Sequence, residues 1–231
     1  MIKAVVFDLY ETLITTLDPN WNEANSPWQQ LGISHTEYWR VFHLHYPAWM
    51  RGEIMFNDML AAMLSPEQLE AKSQLIDKIA SEHLAEKRQI LSSPRAEILQ
   101  LLDDLRVRGF QLGLVSNAGP DETPGWSDSP LAARLQSATF SFQVHCAKPD
   151  PDIYLHCLDK LGIEPDEAVF VGDGGSSELV GAQSVGMHPI WATWFIDAWP
   201  VVRVEDAIKN GAEQFPRIRH PQTLLEQIEQ L

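Results

Sequence analysis

A short apolar run that stops on a carboxylate does most to limit what this chain can become. Ile2 to Phe7 is built around β-branched residues (Ile2, Val5, Val6) and reads as a strand buried on both faces, as in a parallel sheet. Asp8 follows directly. An Asp at the carboxyl end of such a strand sits in the crevice where open α/β sheets bind ligands. Burial raises a carboxyl's pKa, so an ionised Asp8 needs a cation or several N–H donors close by. Taken alone, Phe7-Asp8 also suits a turn cap; the remainder of the chain decides between the two.

After Leu13 the strand signals vanish until Ser93. Ser26 to Gly32, with Pro27, reads as a loop. Ser34-His35-Thr36-Glu37 has the form of a capping box and opens a helix that carries Tyr38, Val41, Phe42 and His45 and ends near Pro47. Further helices are expected over Asn57 to Leu64 and from Ser65-Pro66 to about Arg88. This aromatic-rich block gives a division into an α/β core, residues 1–14 and 90–231, and an inserted helical cap, residues 15–89. The cap's aromatic residues suit a bundle core and a lid over the crevice equally well.

Beyond it the pattern alternates. Helices are expected over Pro94 to Arg108, Leu131 to Gln136, Asp152 to Leu161, Ser176 to Val185 and Pro221 to Gln230; strands over Gln111 to Val115, Phe140 to Val144, Ala168 to Val171 and Pro189 to Ala192. Strands alternating with helices mean βαβ units. The fold class is therefore α/β, a doubly wound parallel sheet with an inserted helical domain. Trp191, Trp194 and Trp199 are expected to pack inside rather than to mark a dimer surface.

A formal charge of -15 over 231 residues repels nucleic acid and anionic membrane, so neither is an expected partner. Two cysteines, no leader before Ile2 and no apolar run near the ~18 residues of a membrane helix point to a cytoplasmic protein. The partner that remains is a small anionic molecule, and in so acidic a chain its site needs local cations.

Four polar clusters each follow a core strand: Asp8, Ser116-Asn117, Lys148 and Asp173. In a parallel sheet those ends share one edge. Two carboxylates, a hydroxyl and an ammonium suggest nucleophilic displacement by Asp8, held ionised by Lys148. Ser116 and the N–H groups after Leu9 would bind the anionic part of the substrate. Asp173, with Glu178 five residues later, offers hard oxygen ligands suited to Mg²⁺.

Phe7-Asp8-Leu9-Tyr10-Glu11-Thr12-Leu13, Val115-Ser116-Asn117, Lys148-Pro149-Asp150-Pro151-Asp152-Ile153-Tyr154 and Val171-Gly172-Asp173 appear in the order found in the haloacid dehalogenase superfamily, which the chain resembles over nearly its whole length. The resemblance implies that Asp8 forms a covalent intermediate and that Lys148 orients it. It also implies that Thr12, Ser116 and Asn117 meet the substrate, and that Mg²⁺ is held by Asp8, the main-chain carbonyl of Tyr10, Asp173 and Glu178. Two residues disagree about the branch. Phosphatases of the family place a second Asp where Tyr10 stands, as the acid for the leaving group. Tyr10 instead resembles the metal-independent 2-haloacid dehalogenases, as does Arg40 if it grips a substrate carboxylate. Asp173 is out of place in those dehalogenases, because without a cation it would repel Asp8. Asp173 is weighed above Tyr10, giving a Mg²⁺-dependent phosphatase, with a dehalogenase and a non-catalytic binding protein as the alternatives.

Overall fold

The computed structural model describes residues 1–17, 23–195 and 201–231. Its chain order begins with β1 (Ala4–Phe7), then α1 (Pro27–Leu31), α2 (His35–Met50), α3 (Phe56–Ala61) and α4 (Pro66–Ser92). After these come α5 (Ala96–Val107), β2 (Gln111–Ser116), β3 (Ser137–Phe140), α6 (Ser141–Val144), α7 (Pro151–Leu161) and β4 (Ala168–Gly172). The chain closes with α8 (Glu178–Ser184), β5 (His188–Ala192), α9 (Val201–Lys209), β6 (Arg217–Ile218) and α10 (Leu224–Ile228).

The six strands form one parallel sheet in the order β3-β2-β1-β4-β5-β6. β1 is wholly buried, which is why its sequence is continuously apolar rather than alternating. Its odd residues, Val5 and Phe7, pack with α5 (Ile98, Leu101, Leu102, Leu105) and α10 on one face. Ala4 and Val6 pack with α7 and α8 on the other. Topology turns at β1: the chain runs outward through β2 and β3, then crosses back to β4 on the opposite side. That is the switch point of a doubly wound sheet, and its crevice opens beyond the carboxyl ends of the strands.

Helices α1 to α4 pack round a separate core of Trp28, Leu31, Tyr38, Trp49, Met50, Phe56, Met59 and Leu60. Ser34 caps α2 as expected, its Oγ accepting from Glu37 N at 3.1 Å. That helix does not stop at Pro47 but runs on to Met50. A mid-helix Pro costs about 3 kcal/mol; burying Trp49 and Met50 offsets it at about 1.5–3 kcal/mol each. Ser26 to Gly32 is a helix and not a loop: Ser26 caps α1, Pro27 opens it and Gly32 closes it at φ +65°. The cap signals were present, but the helix is too short to show a period.

Two expectations in the third βα unit shift. Leu131 to Gln136 forms only a 3-10 turn over Ala132–Arg134. The strand runs over Ser137–Phe140 and the chain then bends into α6, not onward to Val144. Ser141 fixes that bend, its Oγ accepting from Ala118 N (3.0 Å) and donating to Ala118 O (3.1 Å). α8 begins at Glu178, not Ser176, because Ser176 and Ser177 take left-handed φ angles of +52° and +51°. The last helix is shortened to Leu224–Ile228 behind a turn over Pro221–Thr223. Trp191 and Trp194 are buried as expected; Trp199 lies outside the described residues. No helix among the described residues is long and apolar enough to cross a membrane.

The helical block is tied to the sheet through the loop after β2. Asp121, itself buried, accepts from Trp49 Nε1 at 2.7 Å and from Phe56 N at 2.5 Å. Asp121→Ala strands both donors, and urea unfolding should show a loss of about 1–3 kcal/mol; an unchanged midpoint would mean that the tie carries no stability.

Candidate active site

The strand ends deliver their polar groups to one place. Asp8 N donates to Val171 O of the neighbouring β4 at 2.9 Å, which fixes the nucleophile candidate at the mouth of the switch point. The Lys148 ammonium donates to Asp8 Oδ1 and, at 2.5 Å, to Glu178 Oε2. All three side chains are buried. Asp173 stands beside them, its Oδ1 accepting from Gly175 N (3.0 Å) and its Oδ2 from Arg203 Nη2 (2.9 Å).

Each of these groups is itself held. Asn117 accepts from Lys148 N at 2.7 Å and donates to Lys148 O at 3.0 Å, so it grips the lysine's main chain rather than facing free into the crevice. Tyr154 OH donates to Glu178 O at 2.8 Å. Glu178 Oε1 accepts from Gly174 N at 2.9 Å. A Cβ on Gly172 would lie 2.2 Å from that oxygen, so only glycine leaves room for the carboxylate.

Burial raises the pKa of Asp8, with the Lys148 ammonium opposing it. Burial likewise raises Glu178 well above the carboxylate range, again against Lys148. For Lys148 burial alone would lower the pKa, but Asp8 and Glu178 more than reverse it and the ammonium stays charged. Carboxylate oxygens of Asp8, Asp173 and Glu178 all lie within 4.8 Å of one another. An oxygen set of that span fits the hard, octahedral preference of Mg²⁺.

Thr12 and Ser116 are buried, and neither hydroxyl has a hydrogen-bond partner among the described residues. The Thr12 carbonyl accepts from Trp194 Nε1 at 2.7 Å, which pins the loop. Tyr10 lies in the cavity, but its OH donates to Glu122 O at 2.6 Å. Burial and then Glu122 push the phenol far above its ordinary pKa, so it stays protonated. Arg40 does not join the site. It sits on the exposed side of α2 and forks onto Glu37 at 2.7 and 2.8 Å; the α2 face that meets the cavity carries Tyr38, Trp39, Phe42, Tyr46 and Trp49.

The cavity over these groups holds about 490 Å³, a ligand-sized space. Four charged lining residues are not among the candidates read from the sequence: Glu11, Lys87, Glu122 and Arg203. Glu11 takes a left-handed φ of +62° and accepts from Thr15 Oγ1, Thr16 N and Thr16 Oγ1, closing the loop after Asp8. Arg203 lies on α9, whose sequence carried no recognised signal, so its pairing with Asp173 was out of reach.

A family model described as haloacid dehalogenase-like hydrolase matches residues 2–186. The chain is 30% identical over 115 residues to the phosphoserine phosphatase of Thermus thermophilus, a match covering 49% of this chain and 45% of that one, so the chain spans less than half of that relative's length. It is 25% identical to (S)-2-haloacid dehalogenase 4A of Burkholderia cepacia, over 82% of each chain. The solved 2-haloacid dehalogenase of Pseudomonas syringae pv. Tomato DC3000 superposes with a TM-score of 0.65 at 23% identity, over 100% of this chain and 99% of that one.

His83 of α4 also lines the cavity, stacked on Phe56 with ring centroids 4.4 Å apart. Burial, with Lys87 adding, lowers its pKa to about 3. The unfolded chain, titrating near about 6.5, binds the proton first, so His83 contributes stability that is full above about 6.5 and falls as pH drops toward about 3. Unfolding measured against pH should show His83→Phe flattening that limb by up to about 1.4 kcal/mol per pH unit; parallel curves for the two proteins would exclude a neutral buried His83.

Proposed function

We propose that this chain, which belongs to the haloacid dehalogenase-like hydrolases, is a Mg²⁺-dependent phosphate-ester hydrolase acting on a small phosphorylated metabolite in the cytoplasm. The observation that carries the reading is Asp173 beside Asp8: three buried carboxylates, Asp8, Asp173 and Glu178, face two cations, Lys148 and Arg203. Acidic oxygens are thus crowded together at the place where an anionic substrate would have to arrive. A divalent cation held by Asp8, Asp173, Glu178 and the Tyr10 carbonyl would supply charge neutralisation for the phosphoryl group.

The residues divide the work by position. Asp8 attacks phosphorus and forms an aspartyl phosphate as the ester P–O bond breaks; water then cleaves the aspartyl phosphate, returning the carboxylate and releasing inorganic phosphate. Lys148 orients Asp8 and keeps it ionised. Asn117, gripping the lysine's main chain, is a positioning residue. Buried hydroxyls without a partner cost about 1–3 kcal/mol, and phosphoryl oxygens would relieve that cost at Ser116 and Thr12. In this reading α1 to α4 act as a cap that closes the cavity and excludes water.

A second reading, a 2-haloacid dehalogenase, has two supports. Tyr10 cannot serve as a leaving-group acid while its OH is engaged by Glu122 O. Arg203 also gives Asp173 a counter-charge that needs no metal. Hydrolysis of p-nitrophenyl phosphate and of 2-chloropropionate, each with Mg²⁺ and with EDTA, separates the two. Phosphate release abolished by EDTA is expected; chloride release indifferent to EDTA would transfer the assignment to the second reading. Asp8→Asn should abolish turnover with an unchanged circular-dichroism spectrum, and full activity in that variant would remove Asp8 from the mechanism.

A further inference from the structure

Three cations line the cavity among the described residues, and they are not equivalent. Lys148 is pinned by Asp8 and Glu178, and Arg203 by Asp173 at 2.9 Å. Lys87, near the C-terminal end of α4, is also buried and pairs with Glu122 across a longer gap, 3.6 Å to Oε1. Its Nζ stands 4.7 Å from the centroid of the Tyr10 ring, two residues along from the nucleophile. Lys87 is therefore the most loosely paired of the three cations, and it lies over the ring of Tyr10, two residues along from the reacting carboxylate.

The rest of the lining limits what approaches it. Five acidic side chains (Asp8, Glu11, Glu122, Asp173, Glu178) line the cavity beside three basic ones, a lining poor in partners for a second anionic group on the substrate. A wall of aromatic residues, chiefly Trp39, Phe42 and Tyr46, lines the same cavity from the half-buried surface of α2. The Tyr10 hydroxyl is committed to the Glu122 carbonyl and cannot protonate a departing oxygen.

We propose that the cavity selects aryl phosphates: the ring of the leaving group packs on the α2 wall, and its departing oxygen is met by the Lys87 ammonium. The inference rests on the phosphatase reading above and names its substrate class. As the Asp8 oxygen bonds to phosphorus, the P–O(aryl) bond breaks and the aryl oxygen takes the electron pair. An aryloxide leaves without a proton because it is a weak base, with a conjugate-acid pKa of about 10 as in tyrosine, whereas an alkoxide needs an acid that this cavity lacks. The nearby cation stabilises the charge as it develops. The aryloxide takes its proton later, from the water that hydrolyses the aspartyl phosphate or from solvent.

The test compares phenyl phosphate with 2-phenylethyl phosphate, which offers a similar ring on an alkyl oxygen, using p-nitrophenyl phosphate as the least basic leaving group. All are assayed with Mg²⁺ on the wild type, Lys87→Met, Lys87→Arg and Tyr10→Asp. The wild type should turn over phenyl phosphate at least about 100-fold faster in kcat/KM than the phenylethyl ester, the usual scale of a missing acid. Lys87→Met should lower kcat on phenyl phosphate about 10-fold or more, with a smaller loss on p-nitrophenyl phosphate, and Lys87→Arg should recover part of it. Tyr10→Asp should raise turnover of the phenylethyl ester selectively. Equal wild-type rates on phenyl and phenylethyl phosphates, or an equal loss on both aryl esters in Lys87→Met, would overturn the inference while leaving a phosphatase in place. No EDTA-sensitive phosphate release from any of the three would overturn the phosphatase reading itself and this inference with it.

Discussion

One buried ammonium shared by two carboxylates holds the site together. Lys148 bridges Asp8, at the end of β1, and Glu178, at the start of α8, and so joins two strand ends that are neighbours in the sheet but far apart in sequence. Removing such charges from water costs several kcal/mol per ion, and the attraction between them repays it only when the geometry is tight and the remaining lone pairs are used. The surroundings meet that condition. Asn117 fixes the lysine's main chain, Tyr154 and Gly174 fix Glu178, and Gly172 leaves the space in which the carboxylate sits. The cluster is preorganised because its neighbours are, and preorganised charge is the kind that assists a reaction.

A second layer of polar ties couples this centre to the helices above it. The loop after β2 reaches α2 and α3 through Asp121, the nucleophile loop through the carbonyl of Glu122, and α4 through the Glu122 carboxylate and Lys87. One short loop thus ties three helices and the nucleophile loop together. Its other end is Ser116-Asn117, where β2 ends. The same segment that grips the Lys148 main chain through Asn117 also anchors the helices over the cavity.

The comparison between sequence and structure turns on range. β1, β2 and β4 were legible because a buried strand is a largely apolar run, and Asp8 and Asp173 because each directly follows such a strand. α7 was legible from its periodic face and from Pro151 at its first position. The errors fell where local preference is weak or overruled: α1 is too short to show a period, α2 passes through Pro47 because Trp49 and Met50 find a core, and β3 bends at Ser141 because a loop elsewhere bonds its hydroxyl. Arg40 had the right charge for an anion and the wrong face, turned to solvent by one helical step from the aromatic stripe.

The sequence by itself determined the α/β class, the helical insertion after β1 and the four polar clusters, because burial period and strand-end position are local properties of a chain. Tertiary structure alone decided which of those groups are paired. Arg203 answers Asp173 from a helix thirty residues on, Tyr10 commits its hydroxyl to the Glu122 carbonyl, and Lys87 arrives over Tyr10 from the far end of α4. Charge is written in the sequence, but whether a charge is spent on a neighbour or left for a substrate depends on distances of a few ångströms between residues remote in the chain, and only the packed fold sets those.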